Sequence, residues 1–406
     1  MKLLFVCTTE FQLLTALNMK YNVYKDDVAD IIVDNYHGEE AELAERIRQT
    51  NMFRHVCFVR SHIEHRTMHA YLRGVTDGKR NVALTTALKN SAFFILSRIK
   101  ILISGAEGWL SVLVNGFKTL SFLEYDEVFS HVGKPVVRHI RSYLKEINPA
   151  CKIIGFDEGV ASYIYGKVGD NSQIDCCEVY EPELMQYQIS VKKIPTINKE
   201  DKQFVNIVNQ VFEYDTSKIV DLRDSIIYFD QGVFSPMPKY LKNASFLKKI
   251  IFHNSYKKHK EEEKRHQKYK QFTMEILEAV GNKKVWIKPH PRSAEGALSV
   301  FTDMPNVEIL PQPYLPWEIM ALNSVVENSY FMTDYSTAAC LYHSVVQPSG
   351  NNKSILLYNM LDLSVDETII NYANDLRDFF PNKIFIPKDK DDFLSFWENT
   401  RIQSER

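Results

Sequence analysis

The residues best suited to chemistry in this chain fall in a few short clusters. Phe156-Asp157-Glu158-Gly159 sets two adjacent carboxylates and a glycine behind an apolar run. A neighbouring like charge and partial burial raise a carboxyl pKa, and a carboxylate tuned that way takes a proton from a hydroxyl. A polar turn with glycine at positive φ uses the same residues. Trp286-Ile287-Lys288-Pro289-His290-Pro291-Arg292 holds a histidine between two prolines. The stiff backbone suits a side chain that meets a ligand in one pose. His290 can then donate to a departing phosphate, while Lys288 and Arg292 add positive charge; a structural turn is the plainer reading.

Three further clusters follow the same logic. Thr333-Asp334-Tyr335-Ser336-Thr337 opens a small-residue helix, whose free N–H groups and hydroxyls suit phosphate or plain capping by Ser336 or Thr337. Phe229-Asp230-Gln231 offers another carboxylate behind an apolar run. Glu318, in Pro316-Trp317-Glu318-Ile319, starts a helix; there it reaches ribose hydroxyls or simply complements the helix dipole.

The runs ahead of these clusters read as strands. In the first half they are Leu3–Val6, Asp30–Val33, His55–Val59, Glu127–His131 and Lys152–Phe156, with helices predicted over Glu10–Met19, Glu39–Gln49 and Pro135–Glu146. The second half repeats the pattern. Strands are predicted over Ser225–Phe229, Lys284–Ile287, Val307–Leu310, Tyr330–Met332, Ser354–Tyr358 and Ile384–Ile386, and helices over Lys264–Val280, Pro316–Asn323 and Thr337–Val345. This alternation predicts an α/β fold of parallel sheets covered by helices. In such sheets ligands gather at the carboxyl ends of the strands, where the clusters lie. The polar, weakly periodic stretch Tyr180–Asp221 is the expected boundary. The expected domains are residues 1–200, 221–385 and a C-terminal piece, 386–406, whose helix packs back on the first domain.

Bulk properties narrow the class. With 406 residues, 45% of them hydrophobic and 25% charged, the chain is globular and of two-domain size. A net charge of −2 gives no general pull toward nucleic acid. Six scattered cysteines with no Cys-x-x-Cys pair suit free thiols in a reducing compartment. The start, Met-Lys-Leu-Leu-Phe-Val-Cys, reads as a strand and not as a leader. The expected location is the cytoplasm, with peripheral contact at the inner membrane face through the charged run 257–266 as the alternative to a solvated helix. Neither a Gly-rich phosphate loop nor His-Glu-x-x-His is present. Asp389-Lys390-Asp391 has the spacing of a metal-holding Asp-x-Asp pair but sits in a charged late segment and reads as surface. No metal and no cofactor are therefore expected.

At these clusters the sequence resembles bacterial sialyltransferases of glycosyltransferase family 52, and more distantly the bacterial polysialyltransferases. Val6-Cys7-Thr8-Thr9-Glu10-Phe11-Gln12-Leu13 looks like that family's first strand and helix, Asp157-Glu158-Gly159 like its acidic-acidic-Gly motif, and His290-Pro291 like its His-Pro motif. Ser336-Thr337 falls where such enzymes hold the CMP phosphate, and Glu318 in a stretch similar to their ribose-binding helix. The resemblance implies a GT-B fold of two facing Rossmann-like domains, with the nucleotide mainly on the second. It implies inverting, metal-independent transfer of sialic acid from CMP-sialic acid to a glycan acceptor of a bacterial surface polysaccharide or lipooligosaccharide. Lys288, Pro291, Arg292, Glu318, Ser336 and Thr337 are then donor-side, and Thr8, Gln12 and Gly159 acceptor-side. His290 assists the leaving phosphate, and the base is one of Asp157, Glu158 and Asp230, with Asp157 ranked slightly first. CMP-Kdo or a UDP-sugar as donor remains open, as does a non-catalytic sugar- or nucleotide-binding protein. Acceptor specificity is expected in 60–123.

Overall fold

The computed structural model describes residues 1–34, 40–59, 120–131, 135–164, 173–231, 253–290, 304–334, 336–346, 350–361 and 367–404. Most of the region expected to choose the acceptor, 60–119, lies outside the described residues, as do Pro291 and Arg292. The chain divides into two compact units, Met1–Tyr214 and Asp215–Arg406.

Short apolar runs make the strands because they can be buried on both faces. In the first unit these are β1 (Lys2–Cys7), β2 (Val28–Asp34), β3 (Val56–Val59), β4 (Glu127–Ser130), β5 (Lys152–Phe156), β6 (Cys176–Val179) and β7 (Val191–Lys193). Among the described residues they form one sheet in the order β3-β2-β1-β4-β5-β6-β7, with every pairing parallel. Leu3, Leu4 and Phe5 are fully buried, as a central parallel strand requires. Phe5 stacks on Phe129 of β4 at 4.6 Å between ring centroids.

The second unit repeats this construction with β8 (Ile226–Asp230), β9 (Val285–Pro289), β10 (Val307–Ile309), β11 (Tyr330–Thr333), β12 (Lys353–Leu356) and β13 (Ile384–Phe385). They pair in parallel in the order β10-β9-β8-β11-β12-β13. Both orders are those of a doubly wound, Rossmann-like sheet, so the α/β class with two parallel-sheet domains is the observed one. Each sheet has a switch point where the winding reverses, between β1 and β4 and between β8 and β11. The ligand crevice of such a sheet opens there, at the carboxyl ends.

Two elements add detail to the expected pattern. The stretch Tyr180–Asp221 is not merely a linker: it holds β7 and the helix Lys202–Phe212, which buries Phe204, Val205, Val208, Val211 and Phe212. A three-residue edge strand with Lys192 and Lys193 outward has almost no periodic signal, which is why it is hard to read from sequence. The final helix, Lys390–Ser404, places Phe393 and Trp397 in a core cluster with Ile276, Leu277 and Val285 of the second unit, and Trp397 Nε1 donates to the Val280 carbonyl at 3.3 Å. Its apolar residues Phe393 and Trp397 thus serve the core of its own unit.

All six cysteines are free, and all but Cys176 are buried. Among the described residues no helix is long and apolar enough to cross a membrane.

Candidate functional site

In the first unit the chemistry gathers around Glu158. The helix Glu10–Asn22 is N-capped by Thr9, whose Oγ1 accepts from the Gln12 backbone N–H at 3.2 Å. The Gln12 side chain turns back, and its Oε1 accepts from Thr8 N at 2.6 Å and from Thr8 Oγ1 at 3.1 Å. That orients the remaining amide group, whose Nε2 donates to Glu158 Oε2 at 2.6 Å. The other carboxylate oxygen, Oε1, is in close polar contact with Nε2 of His131, the residue after β4. Glu158 N donates to Ser162 Oγ at 2.8 Å. The Glu158 side chain keeps 14% of its exposure, so it is held but not fully enclosed. Gly159, with φ of +105°, makes the sharp turn that follows; a side chain would be strained there.

Asp157 is differently placed, and its ranking as the first choice of base is not supported by its surroundings. It is fully buried. Its Oδ1 accepts from Gly159 N at 2.8 Å, and its Oδ2 from Tyr163 OH at 2.5 Å and Tyr180 N at 3.1 Å. Burial pushes its carboxyl up to about 6, against the pull of those three donors. Asp157 ties the β5 turn to the end of β6; Glu158, one residue on, points the other way.

In the second unit the strand ends bring several groups into register. Asp230 ends β8 and pairs with Pro289 of β9, one residue before His290. On the other side Phe229 pairs with Thr333, the last residue of β11. Asp230 and Asp334 are buried, and both carboxylates act on the Tyr228 and Tyr269 phenols. Burial, reinforced by them, drives Tyr269 well above its ordinary range. Tyr269 OH accepts from Gln231 N at 3.0 Å, pinning the chain as it leaves β8. Thr333 Oγ1 accepts from Ser336 N at 2.9 Å. Ser336 is the N-cap of the helix Thr337–Val345, and its own hydroxyl makes no capping bond.

The neighbouring helix Trp317–Asn323 is anchored by Trp317, whose indole lies edge-on to Phe229 at 5.3 Å and to Phe331 at 5.6 Å. Next to it Glu318 is buried, which raises its carboxyl to about 7, although Lys288 pulls the other way. The Lys288 ammonium is buried and donates to the carbonyls of Pro289 at 2.9 Å and Pro313 at 2.8 Å. It staples β9 to the loop that follows β10.

The structure thus gathers Thr8, Gln12, Glu158 and Gly159 in the first unit and Asp230, His290, Glu318 and Ser336 at the strand ends of the second. His131 was missed by the sequence reading, although it closes the predicted strand Glu127–His131. One buried position just past a strand gives no periodic signal, and its partner lies 27 residues on. Asp389, the start of the Asp-x-Asp pair, caps the last helix: its Oδ1 accepts from Asp392 N at 2.9 Å. No group of three or more His, Cys, Asp or Glu side chains suited to a metal ion occurs among the described residues.

No protein-family model and no curated protein sequence matches the chain. Solved structures with a similar course of chain include a Listeria monocytogenes protein described as a UDP-N-acetylglucosamine 2-epimerase, at 10% identity and a TM-score of 0.44, covering 94% of this chain and 89% of that one. MurG of Acinetobacter baumannii is similar at 10% identity and a TM-score of 0.40, covering 100% of this chain and 91% of that one. MnaA of S. aureus, solved with UDP, is similar at 11% identity and a TM-score of 0.39, with coverages of 94% and 89%. At these scores the likenesses carry no argument about what this chain binds.

Proposed function

We propose that this chain is a glycosyltransferase that moves a sugar from a nucleotide-activated donor to a hydroxyl acceptor, with Glu158 as the base. The carrying observation is that Glu158 is held yet partly exposed: Gln12 and His131 fix its oxygens, while Asp157 is enclosed. The acceptor proton goes to Glu158, the acceptor oxygen bonds to the anomeric carbon, and the bond from that carbon to the leaving phosphate breaks. The electron pair leaves on the phosphate, where His290 donates.

The donor groups in this reading are Ser336 and the amides opening the helix Thr337–Val345, with Glu318 toward the ribose. Ser336 supports it through a hydroxyl that makes no cap bond. CMP-sialic acid is the proposed donor, on the residues resembling family 52. The test is to incubate the protein with CMP-sialic acid, CMP-Kdo or a UDP-sugar and a panel of galactosides, and to measure nucleotide release. Release from CMP-sialic acid alone supports the full reading. Release from another donor overturns the sialyl assignment, and no release from any, with no thermal shift by CMP or UDP, overturns the transferase.

A further inference from the structure

We propose that His131 is the positioning residue for the Glu158 carboxylate, acting through a ring Nε2–H that donates to Oε1. The proposal rests on Glu158 as base, and it is carried by where His131 lies. β4 is the middle of three adjacent strands: Ser130 pairs with Val6 of β1 on one side and with Gly155 of β5 on the other. His131, the next residue, therefore stands at the switch point between the turn carrying Thr8 and the turn carrying Glu158. Three segments far apart in sequence meet at one carboxylate.

The contacts divide the work. Gln12 reaches Oε2 from the β1 side, and its own carbonyl is locked by two donors from Thr8. His131 reaches Oε1 from the β4 side, with 9% of its side chain exposed. Among the described residues Glu158 is the partner the ring has for a polar contact. A carboxylate offers about four lone-pair sites, so these two donors stop its rotation and leave each oxygen one further site. One of those is where the acceptor hydroxyl gives its proton as its oxygen bonds to the anomeric carbon and the phosphate departs with its electron pair. Positional error near 1 Å costs a reaction about 10²-fold. The bond at one imidazole nitrogen selects the tautomer of the ring.

The test has two parts on the full chain. Long-range ¹H–¹⁵N correlation of the histidine rings, with His131 identified by its loss in His131→Gln, should show a single Nε2–H tautomer. In Glu158→Gln that signal should change to a mixture or to the other tautomer. An unchanged His131 signal overturns the pairing, and this readout needs no activity. In the nucleotide-release assay His131→Leu should lower kcat about 10- to 100-fold with donor KM within about twofold, and His131→Gln, which can still donate, should recover most of it. Equal turnover in all three proteins overturns the role, and so does a loss that Gln does not restore. Should His131→Leu not fold, the His131→Gln comparison and the tautomer still decide. A wild-type protein inert toward every donor, with the tautomer as stated, overturns the transferase reading and leaves the His131–Glu158 pairing standing.

Discussion

Adjacent carboxylates in one motif have opposite fates because consecutive residues leaving a strand point to opposite sides. Asp157 goes inward and meets three donors, and Glu158 goes outward and meets two. Removing the charge of each should therefore fail differently. Glu158→Gln should lose kcat by about 10²-fold or more while CMP binding holds. Asp157→Asn should cost stability first, since one of its oxygens becomes a donor facing the donors of Gly159 or Tyr180; thermal melting reads that directly. Wild-type turnover in Glu158→Gln would remove it as base and return attention to Asp230. Glu318 gives a second test. Burial holds its carboxyl at about 7 in the fold against 4.5 for a free group, so between those values the folded chain binds more protons than the unfolded one. Its contribution is full below about pH 4.5 and is lost as pH rises toward 7, at a slope of at most about 1.4 kcal/mol per pH unit. Glu318→Gln should flatten that part of the stability–pH curve of urea unfolding, and an unchanged slope would contradict the assignment.

Among the elements, the last helix carries two predictions. Phe393 and Trp397 fill the second unit's core and Asp389 caps the start. Trp397→Ala should destabilise by about 3–5 kcal/mol, seen as a lower denaturant midpoint. Asp389→Ala should cost about 1 kcal/mol and leave turnover intact. A metal site at Asp389 and Asp391 would do the opposite: excess EDTA would abolish nucleotide release and magnesium or manganese restore it. The expected result is activity that survives EDTA. The helices of the second unit's strand-end cluster follow the same rule of position. Trp317 locks its helix onto Phe229 and Phe331, and that placement buries Glu318.

At the scale of the molecule, the two units hold separate sheets and separate cores. Donor groups are proposed on the second, so nucleotide should protect that unit first. At a free CMP concentration of 100 times Kd the bound fold gains about 2.7 kcal/mol. Proteolysis sites in 215–406 should be slowed by CMP before those in 1–214; protection confined to the first unit would contradict the donor placement.

Much of this was legible in the chain itself. Strands such as Leu3–Val6 and Lys152–Phe156 announce themselves because a parallel strand buried on both faces must be apolar throughout. Placing Asp157, Glu158, Asp230, His290 and Ser336 at strand ends follows from the same pattern, since each comes right after such a run. The N-cap of Thr9 on Gln12 N–H was also written there, three residues apart, as a local hydrogen-bonding rule. What the linear order does not contain is which strand lies beside which. The order β3-β2-β1-β4-β5 brings Gln12, His131 and Glu158 together across more than a hundred residues, and only burial distinguishes Asp157 from its neighbour. Lys288 makes the same point: its type suggests a phosphate, yet a buried ammonium must find acceptors, and the fold supplied the carbonyls of Pro289 and Pro313. Residue type and spacing decided the elements and the candidate groups, because those depend on neighbours along the chain. Tertiary packing decided which groups are free to act, because solvation and partner choice depend on neighbours in space.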